Sequence, residues 1–270
     1  MCGRYSSTRQ DQLVAEMELA ISDEPGAGVL AVAPGFPAGL DSWWAPRWNI
    51  APTQPAPVAV MRPLAEPGDE RGRSERSEDS RGSTREEPGA RPACVATLCL
   101  MRWGLVPHWA DDLSVGARHI NARAETAAGK PAFRDALRRR RCLVSADGFY
   151  EWQREGKRRI PFAFAPTDGA PVTFAGIWDR WKVRDRATAL PWVESFSILT
   201  TAADALVTPL HDRMPVVIPP ADRLRWISGE ELPPEALADL LAPGPLAGWE
   251  RHQVEPWVNA ATRERGARAE

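Results

Sequence analysis

From residue 142 to residue 201 the chain reads as one short strand after another. Apolar, β-branched and aromatic runs at 142–146, 149–154, 160–165, 172–178 and 196–201 are too short for helices and carry no helical period. Glu155-Gly156-Lys157 supplies a hairpin turn between two of them. Two earlier runs, 56–61 and 93–101, read the same way, and 254–258 reads as a strand that closes the sheet. Helical patterns are fewer: 7–20, with Ser7 and Gln10 as a capping box, then 131–140, 220–227 and 233–241. Arg138 to Arg141 end the second of these, where cations suit the helix dipole. Many short strands with a few short helices predict an α+β, β-rich domain.

Composition narrows the remaining choices. Residues 66–92 contain no aliphatic or aromatic side chain larger than alanine, and they hold eight acidic and six basic residues. Such a segment cannot bury enough surface to offset chain entropy, which predicts a disordered loop inserted in a hairpin. Residues 25–46 read as irregular connection and 261–270 as a polar tail, leaving a folded unit of 2–260. Without the insert the acidic and basic totals balance at 28 each, so the net charge of −2 excludes a generally basic nucleic-acid binder but not a local basic groove. No run approaches the ~18 apolar residues of a membrane span, and no secretory leader pattern opens the chain. These readings predict a cytoplasmic protein with no membrane partner. Cys94, Cys99 and Cys142 lie in apolar runs and read as buried hydrophobes. No cysteine or histidine spacing suggests a metal, and no cofactor is expected.

Cys2 is the residue with the most unusual chemistry. Removal of Met1 leaves a 1,2-aminothiol, with an amine of reference pKa ~8 beside a thiol of ~8.5. The amine condenses with an aldehyde to an imine, and the thiol adds to that imine to close a thiazolidine. Only three of the 34 basic residues are lysines (Lys130, Lys157 and Lys182), so few other amines compete for such a role.

Six segments stand apart from the strand pattern: Met1-Cys2-Gly3-Arg4-Tyr5, Trp48-Asn49-Ile50-Ala51-Pro52-Thr53, the run from Trp103 to Trp109, the run from Ile120 to Thr126, Gly148-Phe149-Tyr150-Glu151-Trp152, and His211-Asp212-Arg213-Met214-Pro215. In this order they resemble the SRAP family, the SOS-response-associated peptidase-like proteins. The resemblance implies a single β-rich α+β domain with a barrel-like sheet core, short peripheral helices and a groove for single-stranded DNA. It also implies covalent capture of abasic sites at Cys2 during the DNA-damage response. It further implies abasic-site lyase activity and self-removal of Met1. The implied partner is abasic single-stranded DNA, including single-strand/double-strand junctions, bound by a monomer in the cytoplasm or nucleoid.

The same resemblance suggests roles. Glu151 becomes the acid/base for sugar ring opening and imine formation, in an aromatic surrounding that raises a carboxyl pKa. His211 becomes a second proton handler, and Asn121 positions the amine or the cysteine. Arg4, Arg123 and Arg213 contact the DNA backbone, guanidinium being a bidentate phosphate ligand. Asn49, Pro52 and Trp103 complete the DNA-binding set, with Trp103 or Trp109 available to stack on a base. Asp204 departs from the family's usual Asn and would place a negative charge near the site. Two other readings remain: a cysteine peptidase or N-terminal-nucleophile amidohydrolase acting on peptides, and a reversible single-strand binder in which Cys2 is incidental.

Overall fold

A computed structural model describes residues 3–9, 11, 12, 15, 31, 32, 46–63, 94–183 and 192–260. Cys2, most of the helix expected at 7–20, nearly all of 25–46, the insert at 66–92 and the tail at 261–270 lie outside them. The strands, in chain order, are β1 (Tyr5–Ser7), β2 (Ala31–Val32), β3 (Arg47–Ile50), β4 (Pro55–Pro63), β5 (Cys94–Trp103), β6 (Asn121–Arg123) and β7 (Arg141–Ala146), followed by β8 (Gly148–Glu155), β9 (Arg158–Pro166), β10 (Val172–Lys182), β11 (Trp192–Ala202), β12 (Arg213–Pro215) and β13 (Trp249–Gln253). The helices are α1 (Ala124–Ala127), α2 (Arg134–Arg139), α3 (Arg223–Ile227) and α4 (Pro234–Leu241).

The larger sheet runs β12-β11-β10-β7-β4-β5-β2. It closes on itself because β11 also pairs in parallel with β5, Ser195 opposite Arg102 and Phe196 opposite Trp103. Strands β5, β4, β7, β10 and β11 therefore form a five-stranded barrel, which removes two sheet edges. The smaller sheet runs β13-β9-β8-β1-β3. Alternate side chains of the barrel strands serve two cores. Val58, Val60, Val144 and Phe174 pack with Tyr5, Phe149 and Phe164 of the smaller sheet, while Ala59, Leu143 and Ala175 pack with Leu137, Trp226 and Leu240 of the helices. Strands covered on both faces read as continuous apolar runs, which explains why they were legible in sequence.

Two expectations are corrected. Ser7 does not cap a helix: it ends β1, and its hydroxyl donates to Ser145 Oγ at 3.3 Å. Tyr5 pairs with Phe149 on one side and Ile50 on the other, which draws this segment into the sheet. The last strand is β13, antiparallel to β9, and not 254–258. Its sequence is polar because it is an exposed edge, whereas Pro256 lacks an N–H for a ladder and opens a 3-10 turn, Pro256–Asn259. Arg141 stands at the end of α2, as expected, and its side chain turns inward. It begins β7, is 2% exposed, and donates to the carbonyls of Leu137, Arg138, Trp226 and Glu230, fastening the ends of α2 and α3.

Candidate active site

Strand β8 carries the central carboxyl. Phe149 stacks on Phe164 of β9 with centroids 4.9 Å apart, and the Tyr150 hydroxyl donates to Trp48 C=O at 2.8 Å. Gly148 permits this close pairing, since a Cβ there would lie 2.2 Å from Phe164 O. On the other flank β1 pairs with β8 only at Gly148 and Phe149, and the Tyr150 amide donates to Arg4 C=O at 3.1 Å. Past Tyr150 that edge of β8 has no strand partner among the described residues.

A cavity of about 630 Å³ occupies the space along this edge. Gly3, Arg4, Glu151, Trp152, Leu210 and His211 are among its lining residues.

Glu151 is 4% exposed. Burial pushes its carboxyl up to about 7, with the carboxylate of Asp212 adding to the rise. At neutral pH the group is present in both protonation states, as proton transfer requires. Burial also lowers the His211 pKa, so its imidazole is neutral at pH 7. Its Nδ1 accepts the Arg213 amide at 2.9 Å and also lies 3.0 Å from Asp212 Oδ1. One nitrogen cannot accept from the amide and donate to a carboxylate at once. The ring is neutral and the Asp212 side chain is 80% exposed, so the amide bond is the one that decides. The ring proton then sits on Nε2.

Arg4 lines the cavity and is anchored from behind, donating to Asn49 Oδ1 at 3.1 Å and to Val258 C=O at 2.7 Å. Burial lowers its pKa. Asn49 is fully buried and donates to Ala260 C=O at 2.8 Å, so it clasps the last described segment to Arg4 and presents no edge to a DNA strand.

The other predicted residues lie elsewhere. Asn121 and Arg123 sit on β6, opposite Ile198 and Thr200 of β11. Arg213 opens β12, forms a bidentate pair with Glu125 at 2.8 Å in each arm, and donates to Thr200 C=O. Its side chain is 11% exposed, so a phosphate would have to displace Glu125. Arg213 lies two positions after His211, and none of the three is among the residues that line the cavity. Trp103 is fully buried and its Nε1 donates to Ile120 C=O at 2.8 Å, leaving no face for a base; Trp109, at 52% exposure, has one. Pro52 sits half-buried in the turn closed by Gln54 N–H to Ala51 C=O. Asp204 is half-buried and does not line the cavity. Its carboxylate accepts the amides of Leu206 at 2.8 Å and Leu246 at 3.0 Å, pinning two loops together.

Sequence reasoning missed Arg154, Arg159 and Asn259, which also line the cavity. Asn259 Oδ1 accepts Trp152 Nε1 at 2.5 Å. No local motif marks it, because only the return of the chain after β13 brings it there.

Residues 1–261 match the family described as SOS response associated peptidase (SRAP). The chain belongs to the SRAP family. Among its relatives, the abasic site processing protein YoaM of Bacillus subtilis is 37% identical over 161 residues, 59% of this chain and 69% of that protein. YedK of Escherichia coli, an abasic site processing protein, is 37% identical over 134 residues, 48% and 56% of the two chains. HMCES of Xenopus tropicalis, named likewise, is 29% identical over 184 residues, 60% and 53%. A crystal structure of a Bacteroides thetaiotaomicron protein shares the fold with a TM-score of 0.68, at 21% identity over 96% of this chain and 95% of that one. The SRAP fold is thus the β-rich barrel with few short helices described above.

Proposed function

We propose that this SRAP protein processes abasic sites in single-stranded DNA, through a thiazolidine formed at Cys2 once Met1 is removed. The observation that carries the reading is the pairing of a carboxyl of pKa about 7 with a neutral imidazole in a cavity that begins at Gly3. The named roles of the SRAP relatives support it.

The abasic deoxyribose is a closed hemiacetal. Ring opening gives a proton to the ring oxygen and removes one from the C1 hydroxyl. Glu151 in its two protonation states serves both transfers, with His211 Nε2–H as a second donor. The Cys2 amine then attacks the C1 aldehyde, and the carbinolamine leaves water with proton assistance to give an imine. The thiol adds to the imine carbon, its proton passes to nitrogen, and the five-membered ring closes. The net change is loss of one water. Single-stranded DNA suits this chemistry because a sugar in a duplex must first leave the stack.

Intact mass spectrometry of the mature protein with an abasic oligonucleotide tests the reading. The expected product has the summed mass less one water. Turnover of peptides with no such product would support the amidohydrolase reading instead. Salt-sensitive reversible binding alone would leave only a DNA-binding module.

A further inference from the structure

The β8–β9 hairpin carries an arrangement that neither the fold nor the proposed chemistry uses. Arg154 of β8 and Arg159 of β9 are directly opposite each other in the antiparallel register. Like charges placed so are unfavourable. The next pair outward, Glu155 opposite Arg158, is charge-matched, so the hairpin could have been neutralised at this rung as well. Among the described residues neither Arg154 nor Arg159 has an ion pair. Residues 153–159 hold four cations, Arg154, Lys157, Arg158 and Arg159, against Glu155 alone, in a chain whose total charge is −2. Both arginines are exposed, and both line the same cavity as Glu151 and His211.

We propose that Arg154 and Arg159 form a phosphodiester clamp that holds the DNA strand beyond the reacting sugar. The inference rests on the abasic-site reading and extends it along the chain of the substrate. Arg154 lies three positions after Glu151, about 10 Å along a strand. On this reading the clamped phosphodiester is one beyond those that flank the reacting sugar. A phosphodiester between the two guanidiniums removes their repulsion, and each offers it a planar fork of donors. The pair is therefore a positioning and affinity device, and it takes no part in proton transfer.

Fluorescence anisotropy measures the test, using oligonucleotides with a central tetrahydrofuran, an abasic analogue that cannot open and so reports binding alone. Wild type, Arg154→Ala/Arg159→Ala and Arg154→Lys/Arg159→Lys are compared on an 11-mer and on a trimer. On the 11-mer the alanine pair is expected to raise Kd roughly tenfold at low salt and to flatten the salt slope by about 0.7, the share of one single-strand phosphate. The lysine pair keeps the slope. The trimer binds all three proteins alike. An alanine pair with wild-type Kd and slope on the 11-mer overturns the clamp. So does an equal loss on the trimer, which would put the pair on the reacting nucleotide itself. A wild-type protein that forms no adduct, while the alanine pair still loses slope on the 11-mer, sinks the abasic-site reading and leaves the clamp standing. Thermal unfolding confirms that the exposed hairpin variants are folded.

Discussion

At the scale of single residues, Glu151 couples chemistry to stability. Its folded pKa of about 7 lies above the reference 4.5, so the folded state holds its proton more tightly than the unfolded chain. The stability this contributes is complete below about pH 4.5 and is lost as pH rises through about 7. The raised value corresponds to on the order of 3 kcal/mol at most. Glu151→Gln removes this dependence. The variant is expected to match wild type near pH 4.5 and to exceed it above pH 8, read from denaturant unfolding at the two pH values. Its adduct rate at saturating abasic DNA is expected to fall by on the order of 10²-fold, and the inflection near pH 7 disappears, because an amide trades no protons there. A variant with the wild-type rate and the wild-type inflection would leave Glu151 a buried structural group. A site residue that destabilises the fold at working pH is a common cost of function.

At the scale of elements, Arg141 shows how one side chain organises several. It lies at the first position of β7, and its guanidinium serves carbonyls at the ends of α2 and α3 and in the turn after α3. Helix ends leave carbonyls without intrahelical partners, and two of these, on Leu137 and Trp226, are buried. Burial lowers the Arg141 pKa to about 10, so the group is still charged at neutral pH. Arg141→Met keeps the apolar stem and strands the carbonyls. It is expected to destabilise the protein by roughly 3–5 kcal/mol in equilibrium unfolding, whereas Arg138→Met, on an exposed ion pair with Glu231, changes stability by less than about 1 kcal/mol. Equal effects from the two substitutions would contradict this division.

At the scale of the whole molecule, the smaller sheet brings the two ends of the described chain to one place. Arg4 reaches Asn49, Val258 and the cavity, so the start of the chain and the return after β13 are held together beside Glu151. A free amine at residue 2 is the requirement that follows. An N-terminal tag, or retained Met1, converts that amine to an amide, which forms no imine. Tagged protein is expected to give no heat- and detergent-stable adduct on a denaturing gel, and proteolytic exposure of Cys2 should restore it. Cross-linking by the tagged protein at the normal rate would exclude Cys2 as the attacking amine.

The sequence by itself determined the strands of the barrel, the hairpin at Gly156 and the short helices, and it singled out Glu151 and His211 as candidates. Continuous apolar runs, turn residues and motif spacing are local signals, and they survive in one dimension. Edge strand β13 escaped because an exposed edge carries no apolar period. Only the tertiary structure decided that β1 lies against β8, that Trp103 and Asn49 are interior, that Arg213 is occupied by Glu125, and that Arg154 faces Arg159 on the cavity wall. Each of these depends on pairing between segments far apart in the chain. Such pairing is set by how whole faces bury together, and no residue's own neighbours record it.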